Sequence, residues 1–159
     1  MAYPRLILLL TLCLLTGCSN GSSAKLPTSQ RITLGGRSFN LELALDGASR
    51  VQGLSDRSEI APDGGMLFVL PRAQTMEFVM RRCPVPIDLI FLGPNARIVQ
   101  MHRMTPQAMD TPEDQLKRYP SRWPAQFAIE LKGGTLDELA LETGQKVALP
   151  ADDLKKLAR

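Results

Sequence analysis

The chain is predicted to be a mainly β domain, α+β at the margin, built as a small closed or split β-barrel-like unit with one or two short helices. Three observations carry that expectation. Residues 31–45 hold two strand-like runs around Gly35-Gly36. Residues 66–70 are apolar on both faces of a strand, and the helical signals are confined to short capped segments.

At the N-terminus, Arg5 precedes the ten-residue run Leu6 to Leu15, which ends in Leu15-Thr16-Gly17-Cys18. Spanning a bilayer takes ~20 apolar residues, so the run reads as a signal peptide and not as a permanent anchor. Its end resembles the lipobox of bacterial lipoproteins, where the cysteine is acylated and becomes the first residue of the mature chain. The resemblance implies a signal peptide over 1–17, lipidation of Cys18 and a cell-envelope location, with the lipid bilayer as a partner through acylated Cys18. Ser19 in place of an acidic residue implies sorting to the outer membrane, facing the periplasm. An ordinary signal peptide ending near a cysteine is the alternative. Residues 18–30 then form the lipidated Cys and a flexible tether, because the Ser-rich stretch after Cys18 offers too little apolar surface to offset its ordering entropy. At ~3.3 Å per residue that tether reaches ~40 Å.

A single β-rich domain is expected over 31–150. Arg31–Leu34 and Arg37–Leu45 form a hairpin, since two glycines supply the positive φ of a tight turn, and Phe39, Leu41, Leu43 and Leu45 alternate with Ser38, Asn40, Glu42 and Ala44. Asp46–Leu54 reads as a short helix capped by Asp46 or Ser49 and closed near Gly53. Met66–Leu70 reads as a central strand covered on both faces. Thr75–Met80, Ile87–Leu92 and Ala96–Met104 are further strands, with Pro94-Asn95 as a turn. Residues 106–124 read as an irregular surface excursion. Phe127–Leu131 is the next strand, and Thr135-x-x-Glu138 caps a helix over Leu136–Glu142. Gln145–Leu149 closes as a strand, and the tail 151–159 holds a marginal helical turn. The expected core includes Phe39, Leu41, Leu43, Met66, Phe68, Ile90 and Ile129.

Cleavage before Cys18 leaves 142 residues with 18 of the 19 basic and all 16 acidic side chains, a net charge of +2. That balance gives no electrostatic footprint for nucleic acid, so nucleic acid is not an expected partner. Cys13 lies in the discarded run and Cys18 is assigned to lipid, which leaves Cys83 as a lone free thiol. One cysteine forms no internal disulfide. With one histidine, His102, it supplies too few ligands for a structural zinc site. No metal or cofactor is expected. Phosphate-loop, dinucleotide, zinc-protease and nucleophile-elbow patterns are absent from the sequence.

From about Leu41 to Leu149 the order of motifs resembles a family of conserved bacterial and archaeal proteins, domain of unknown function 192. The carrying residues are Arg50-Val51-Gln52-Gly53-Leu54-Ser55-Asp56-Arg57, Gly65-Met66-Leu67-Phe68-Val69-Leu70, the block from Phe78 to Phe91, Ile129-Glu130-Leu131-x-Gly133 and Gly144-x-x-Val147. The resemblance implies a small barrel-like β fold and no established activity. Two places depart from the family pattern. Ser55 stands where a Met usually follows Gly-Leu. Phe78-Val79-Met80-Arg81-Arg82-Cys83 stands where Phe-Trp-Met, a basic residue, Asn and Thr are usual.

Charges interrupt the apolar block Met80–Asp88, and a charge drawn toward a core needs a partner. Arg57, Glu77, Met80, Arg81, Asp88 and Glu130 are therefore the candidate ligand-binding pocket, with a structural ion-pair network as the competing reading. Arg81 and Asp88 flank Pro84-Val85-Pro86, and that Pro-braced turn is expected to bring them together at one pocket. The leading function is a non-enzymatic, membrane-anchored envelope protein that binds an unknown small molecule or envelope protein. The alternative is an envelope hydrolase using Asp88, Glu77 or Glu130, or a thiol enzyme using Cys83 activated by Arg81 and Arg82. A minor alternative is periplasmic copper binding through Met66, Met76, Met80, Met101, Met104, Met109 and His102. The spacing of Met101 and Met104 puts them on opposite strand faces, which weakens it. No residue is assigned a catalytic role.

Overall fold

The computed structural model describes residues 26–159; the expected signal peptide, Cys18 and most of the tether lie outside the described residues. A tight turn with positive φ at Gly35 and Gly36 joins β1 (Ser29–Leu34) to β2 (Arg37–Ala44), as antiparallel neighbours. Asp46 accepts the Ser49 backbone N–H at 2.8 Å and Ser49 Oγ accepts the Asp46 N–H at 3.2 Å. This reciprocal cap starts α1 (Gly47–Gln52), which ends at Gly53. The crossover through α1 allows β3 (Met66–Gln74) to run parallel to β2.

The remaining elements are β4 (Glu77–Phe78), β5 (Ile87–Leu92), β6 (Ile98–Met104), a 3-10 turn at Glu113–Gln115, β7 (Tyr119–Pro120), β8 (Ala125–Lys132), α2 (Thr135–Glu138) and α3 (Ala151–Leu157). Six strands form one sheet in the order β1-β2-β3-β8-β5-β6, and β4 pairs with β7 in a two-stranded ribbon. The class is mainly β, as expected. The sheet is not closed into a barrel. Isolated bridges from Ala148 to Thr33 and from Lys146 to Arg97 connect its two sides instead.

Both faces of this sheet are covered, so every second residue enters a different core. On one face lie Leu41, Leu67, Val69, Ile90, Leu92, Phe127, Ile129 and Leu131, packed against Leu136, Leu139 and Leu154. On the other lie Met66, Phe68, Leu70, Ile87, Leu89, Phe91 and Ala128, with Met76, Met80, Cys83 and Tyr119. All the expected core residues are buried except Leu43, which is half-buried against the first cluster.

Several local expectations differ. Thr75–Met80 pairs over two residues only, because the β3–β8 register shifts between Val69 and Gln74 and turns the chain out of the sheet. Gln126 patches that shift, its Nε2 donating to the carbonyls of Leu70 (3.1 Å) and Pro71 (3.2 Å). Gln145–Leu149 is held by single bridges and is not a strand. Thr135 lies inside a four-residue helix whose N-cap is Gly134, so the expected capping box does not form. The excursion over 106–124 carries β7 and buries Leu116, Tyr119 and Ser121. The C-terminal tail is a helix because Leu154 buries against the core and Arg159 N–H donates to Leu45 O at 2.8 Å.

Gly65 is the tightest point of the sheet. Its φ is +143°, and a Cβ there would lie 2.2 Å from the Glu130 carbonyl oxygen. Gly36 also has positive φ but open space around it. Gly65→Ala should therefore cost more than ~3 kcal/mol in urea denaturation, against ~1–2 kcal/mol for Gly36→Ala.

Candidate functional site

Past the register shift of β3 the chain leaves β8 after Gln74, beside a cleft of about 420 Å³, within the span of small-molecule sites (roughly 300–1,000 Å³). One wall is α1 with Gly53, Leu54 and Ser55; the other is the ejected segment from Gln74 to Val79. Phe68, Cys83 and Glu130 form the floor. The ejected wall is pinned from outside by Ser121, whose N–H donates to Met76 O (2.8 Å) and whose Oγ accepts the Met76 N–H (3.0 Å). Phe78 meets Phe68 and Phe91 edge-on at centroid distances of 4.9 and 5.4 Å, which ties this wall to the core beneath.

Glu130 is the unusual group. It sits in the middle of β8, opposite Met66 on β3 and Leu89 on β5, and both neighbours belong to the core on that face. The residue is 5% exposed, and its Oε2 is buried without a hydrogen-bond partner. Burial raises its carboxyl from 4.5 to about 8, against the weaker opposite pull of the Arg57 guanidinium. Arg57 does not neutralise it, because its fork is bidentate on Glu42 at 2.5 and 2.8 Å. Gly53 leaves room directly over the carboxyl: a Cβ at that position would lie 3.7 Å from Oε2 and 3.4 Å from the Phe68 ring.

Two loops are clasped beside this floor. Asp56 N–H donates to Arg82 O at 2.8 Å, Arg82 Nε donates to Asp56 Oδ1 at 2.7 Å, and both residues have positive φ. The clasp places Cys83 beside Ser55, and the thiol donates to the Arg81 carbonyl at 3.4 Å. Burial and the Glu130 carboxylate push Cys83 up to about 11, the opposite of what an activated nucleophile requires. Of the departures from the family pattern, Ser55, Val79 and Cys83 line this cleft and Arg82 does not.

Of the candidate pocket residues, Glu77, Arg81 and Glu130 line the cleft, while Arg57, Met80 and Asp88 do not. Met80 is core. Arg81 and Asp88 do not meet, contrary to the expectation from the Pro-braced turn. Asp88 stands opposite Leu131 on β8, so it shares the face of the first core and points away from Glu130. Its Oδ2 accepts the buried Leu136 N–H at 2.7 Å, serving α2 in place of the missing cap. Burial raises the Asp88 carboxyl above its ordinary value, with the Leu136 N–H holding it back. Arg81 instead forms a bidentate pair with Glu113 at 2.6 and 2.7 Å, and Glu77 pairs with Arg118 at 3.4 Å. Glu113, like Gly53 and Ser121, was not singled out in the sequence as part of a site. Its 32-residue separation from Arg81 leaves no local pattern to find.

The sulfur and imidazole groups do not gather either. Met66, Met76, Met80 and Met104 are buried in one core, Met101 packs against the other, and Met109 is exposed. The Nε2 of His102 contacts the Pro120 carbonyl at 2.8 Å. Among the described residues no three His, Cys, Asp or Glu side chains come close enough to hold a metal ion.

The model of the DUF192 family, described as uncharacterized conserved proteins, matches residues 30–149. The chain belongs to that family. Two solved structures of related fold agree with the architecture. One is described as "a putative transcription regulator" from Sinorhizobium meliloti 1021, with 30% identity, a TM-score of 0.63, and coverage of 75% of this chain and 89% of that one. The other is a protein of unknown function from Novosphingobium aromaticivorans DSM 12444, with 26% identity, a TM-score of 0.61, and coverage of 76% and 83%. No curated protein matches the chain.

Glu130 keeps its proton on folding while the unfolded chain loses it above about 4.5, so native stability falls as pH rises from about 4.5 to 8 and levels off beyond. Glu130→Gln removes that slope, and its stability relative to wild type should grow by roughly 1.4 kcal/mol per pH unit across the window, read from urea midpoints. Asp88→Ala should cost ~1–3 kcal/mol by orphaning a buried N–H, and Arg81→Ala ~0–1 kcal/mol as an exposed pair. Their double mutant should be additive within ~0.5 kcal/mol.

Proposed function

We propose that this DUF192-family chain is an envelope lipoprotein, held to the outer membrane through acylated Cys18, whose cleft binds a small molecule or a segment of an envelope protein without transforming it. The lipobox-like Leu15-Thr16-Gly17-Cys18 supports the anchor. The binding role rests on one observation: the unpartnered Glu130 carboxyl on the floor of a cleft with a preformed wall on each side. A buried polar atom left without a partner destabilises the fold by ~1–3 kcal/mol, and such costs concentrate where a chain keeps a group ready for another molecule.

Of the carboxylates that hydrolysis would use, Asp88 lies on the opposite face of the sheet from Glu130, and Glu77, which lines the cleft with Glu130, is paired with Arg118 at the rim. Thiol catalysis is opposed by the direction of the Cys83 shift. A role in transcription, as named for one similar structure, is opposed by a mature charge of +2, which gives little attraction to a phosphate backbone.

Intact-mass analysis of the membrane fraction tests the anchor. A mature chain starting at Cys18 with acyl mass is expected, and Cys18→Ser should become soluble; equal location of the two would refute it. Native mass spectrometry of the chain taken from its own envelope tests the cleft. A retained adduct should disappear in Glu130→Leu, a variant expected to melt no lower than wild type because leucine suits that apolar floor.

A further inference from the structure

The cleft has a specific chemical bias. Its apolar surface comes from Leu54, Phe68, Met76 and Phe78, while its charged lining consists of Arg50, Arg81, Glu77 and Glu130. Glu77 and Arg81 are occupied by Arg118 and Glu113 at the rim. Arg50 is engaged by the main chain, donating to the Val69 carbonyl (3.0 Å) and to the main-chain oxygen of Arg159 (2.7 Å). Arg57 lies close enough to Glu130 to act on it electrostatically, yet its own fork is taken by Glu42. Cys83, the other titratable group beside Glu130, stays a neutral thiol.

A cation entering this cleft meets a rim whose Glu77 and Arg81 are already paired with Arg118 and Glu113, and at the floor a carboxyl that must first lose its proton. An anion meets a deep apolar floor that offers one hydroxyl donor and no cation of its own. A neutral acceptor meets neither cost. We propose that the cleft takes an uncharged molecule that presents a carbonyl or hydroxyl oxygen to the Glu130 carboxyl, with Glu130 as the donor, and lays an apolar body against Phe68, Phe78, Leu54 and Met76. Gly53 is the position that keeps the approach to that carboxyl open. This inference rests on the binding role proposed above and names the ligand class for it.

The test uses the full chain in detergent with methionine labelled as ¹³C-methyl, because Met76 lines the cleft and reports occupancy directly. Three fragments are titrated: 2-pentanone, which only accepts hydrogen bonds, n-butylamine and butyrate. The expected result is a Met76 shift with 2-pentanone alone, of constant affinity from pH 5.5 to 7 and weakening about tenfold per pH unit once Glu130 ionises. Glu130→Leu should abolish the shift. Glu130→Gln should keep it and remove its pH dependence, since an amide donates at every pH. A Met76 shift with n-butylamine that strengthens with pH, or loss of 2-pentanone binding in Glu130→Gln, overturns the ligand class and leaves the binding role standing. Silence of Met76 toward all three fragments overturns both.

Discussion

Strand β8 is buried on both faces, and most of the molecule follows from that constraint. It lies between β3 and β5 in the sheet order, and its seven residues from Ala125 to Leu131 are all buried. Phe127, Ile129 and Leu131 fill one core, and Ala128 fills the other. A polar side chain on such a strand has no route to solvent along its own element. It is satisfied locally, as Gln126 is by two carbonyls of the displaced β3, or it keeps a neutral form, as Glu130 does.

The surroundings of Glu130 show how the fold accommodates this. Gly65 permits the β3 entry to pass within contact of the Glu130 carbonyl, where a Cβ would collide. Met66 and Leu89 flank the side chain on the neighbouring strands. The nearest guanidinium is held by Glu42. The carboxyl therefore sits in an apolar frame with one open direction, the cleft. Elsewhere in the fold the exposed charges pair off in the ordinary way, as Arg103 does with Asp137 and Arg82 with Asp56.

The cleft itself is a consequence of imperfect pairing. Had β3 continued in register with β8 beyond Val69, residues 70–76 would lie flat in the sheet. Pro71 lacks the N–H that a ladder requires, and four residues on β3 (70–73) face one on β8 (Gln126) between the last regular pair, Val69–Phe127, and the next, Gln74–Ala125. The surplus bulges out, and the chain that follows Gln74 leaves β8, pairs with β7 as β4 and becomes the wall. Ser121 and the Phe68–Phe78–Phe91 edge contacts hold that wall at a fixed distance from α1, so the space between them is built into the fold.

The amino-acid sequence determined what depends on neighbours a few residues apart. Gly35-Gly36 marks the hairpin, Asp46 and Ser49 cap α1, the continuous apolar run at Met66–Leu70 marks a strand with two covered faces, and Glu130 stands out as a charge in an apolar run. The family was also readable from its motif order. What depends on register and distant partners was not. Whether Asp88 and Glu130 share a face is decided by how β5 and β8 align, and a one-residue change in that alignment would reverse the answer. The partner of Arg81 is 32 positions away, on a segment with no periodic signal, so the Pro-braced turn gave a false reason to pair it with Asp88. Local chemistry chose the elements; only the assembled sheet decided which side chains meet, because faces and contacts are properties of strand pairs and not of single strands.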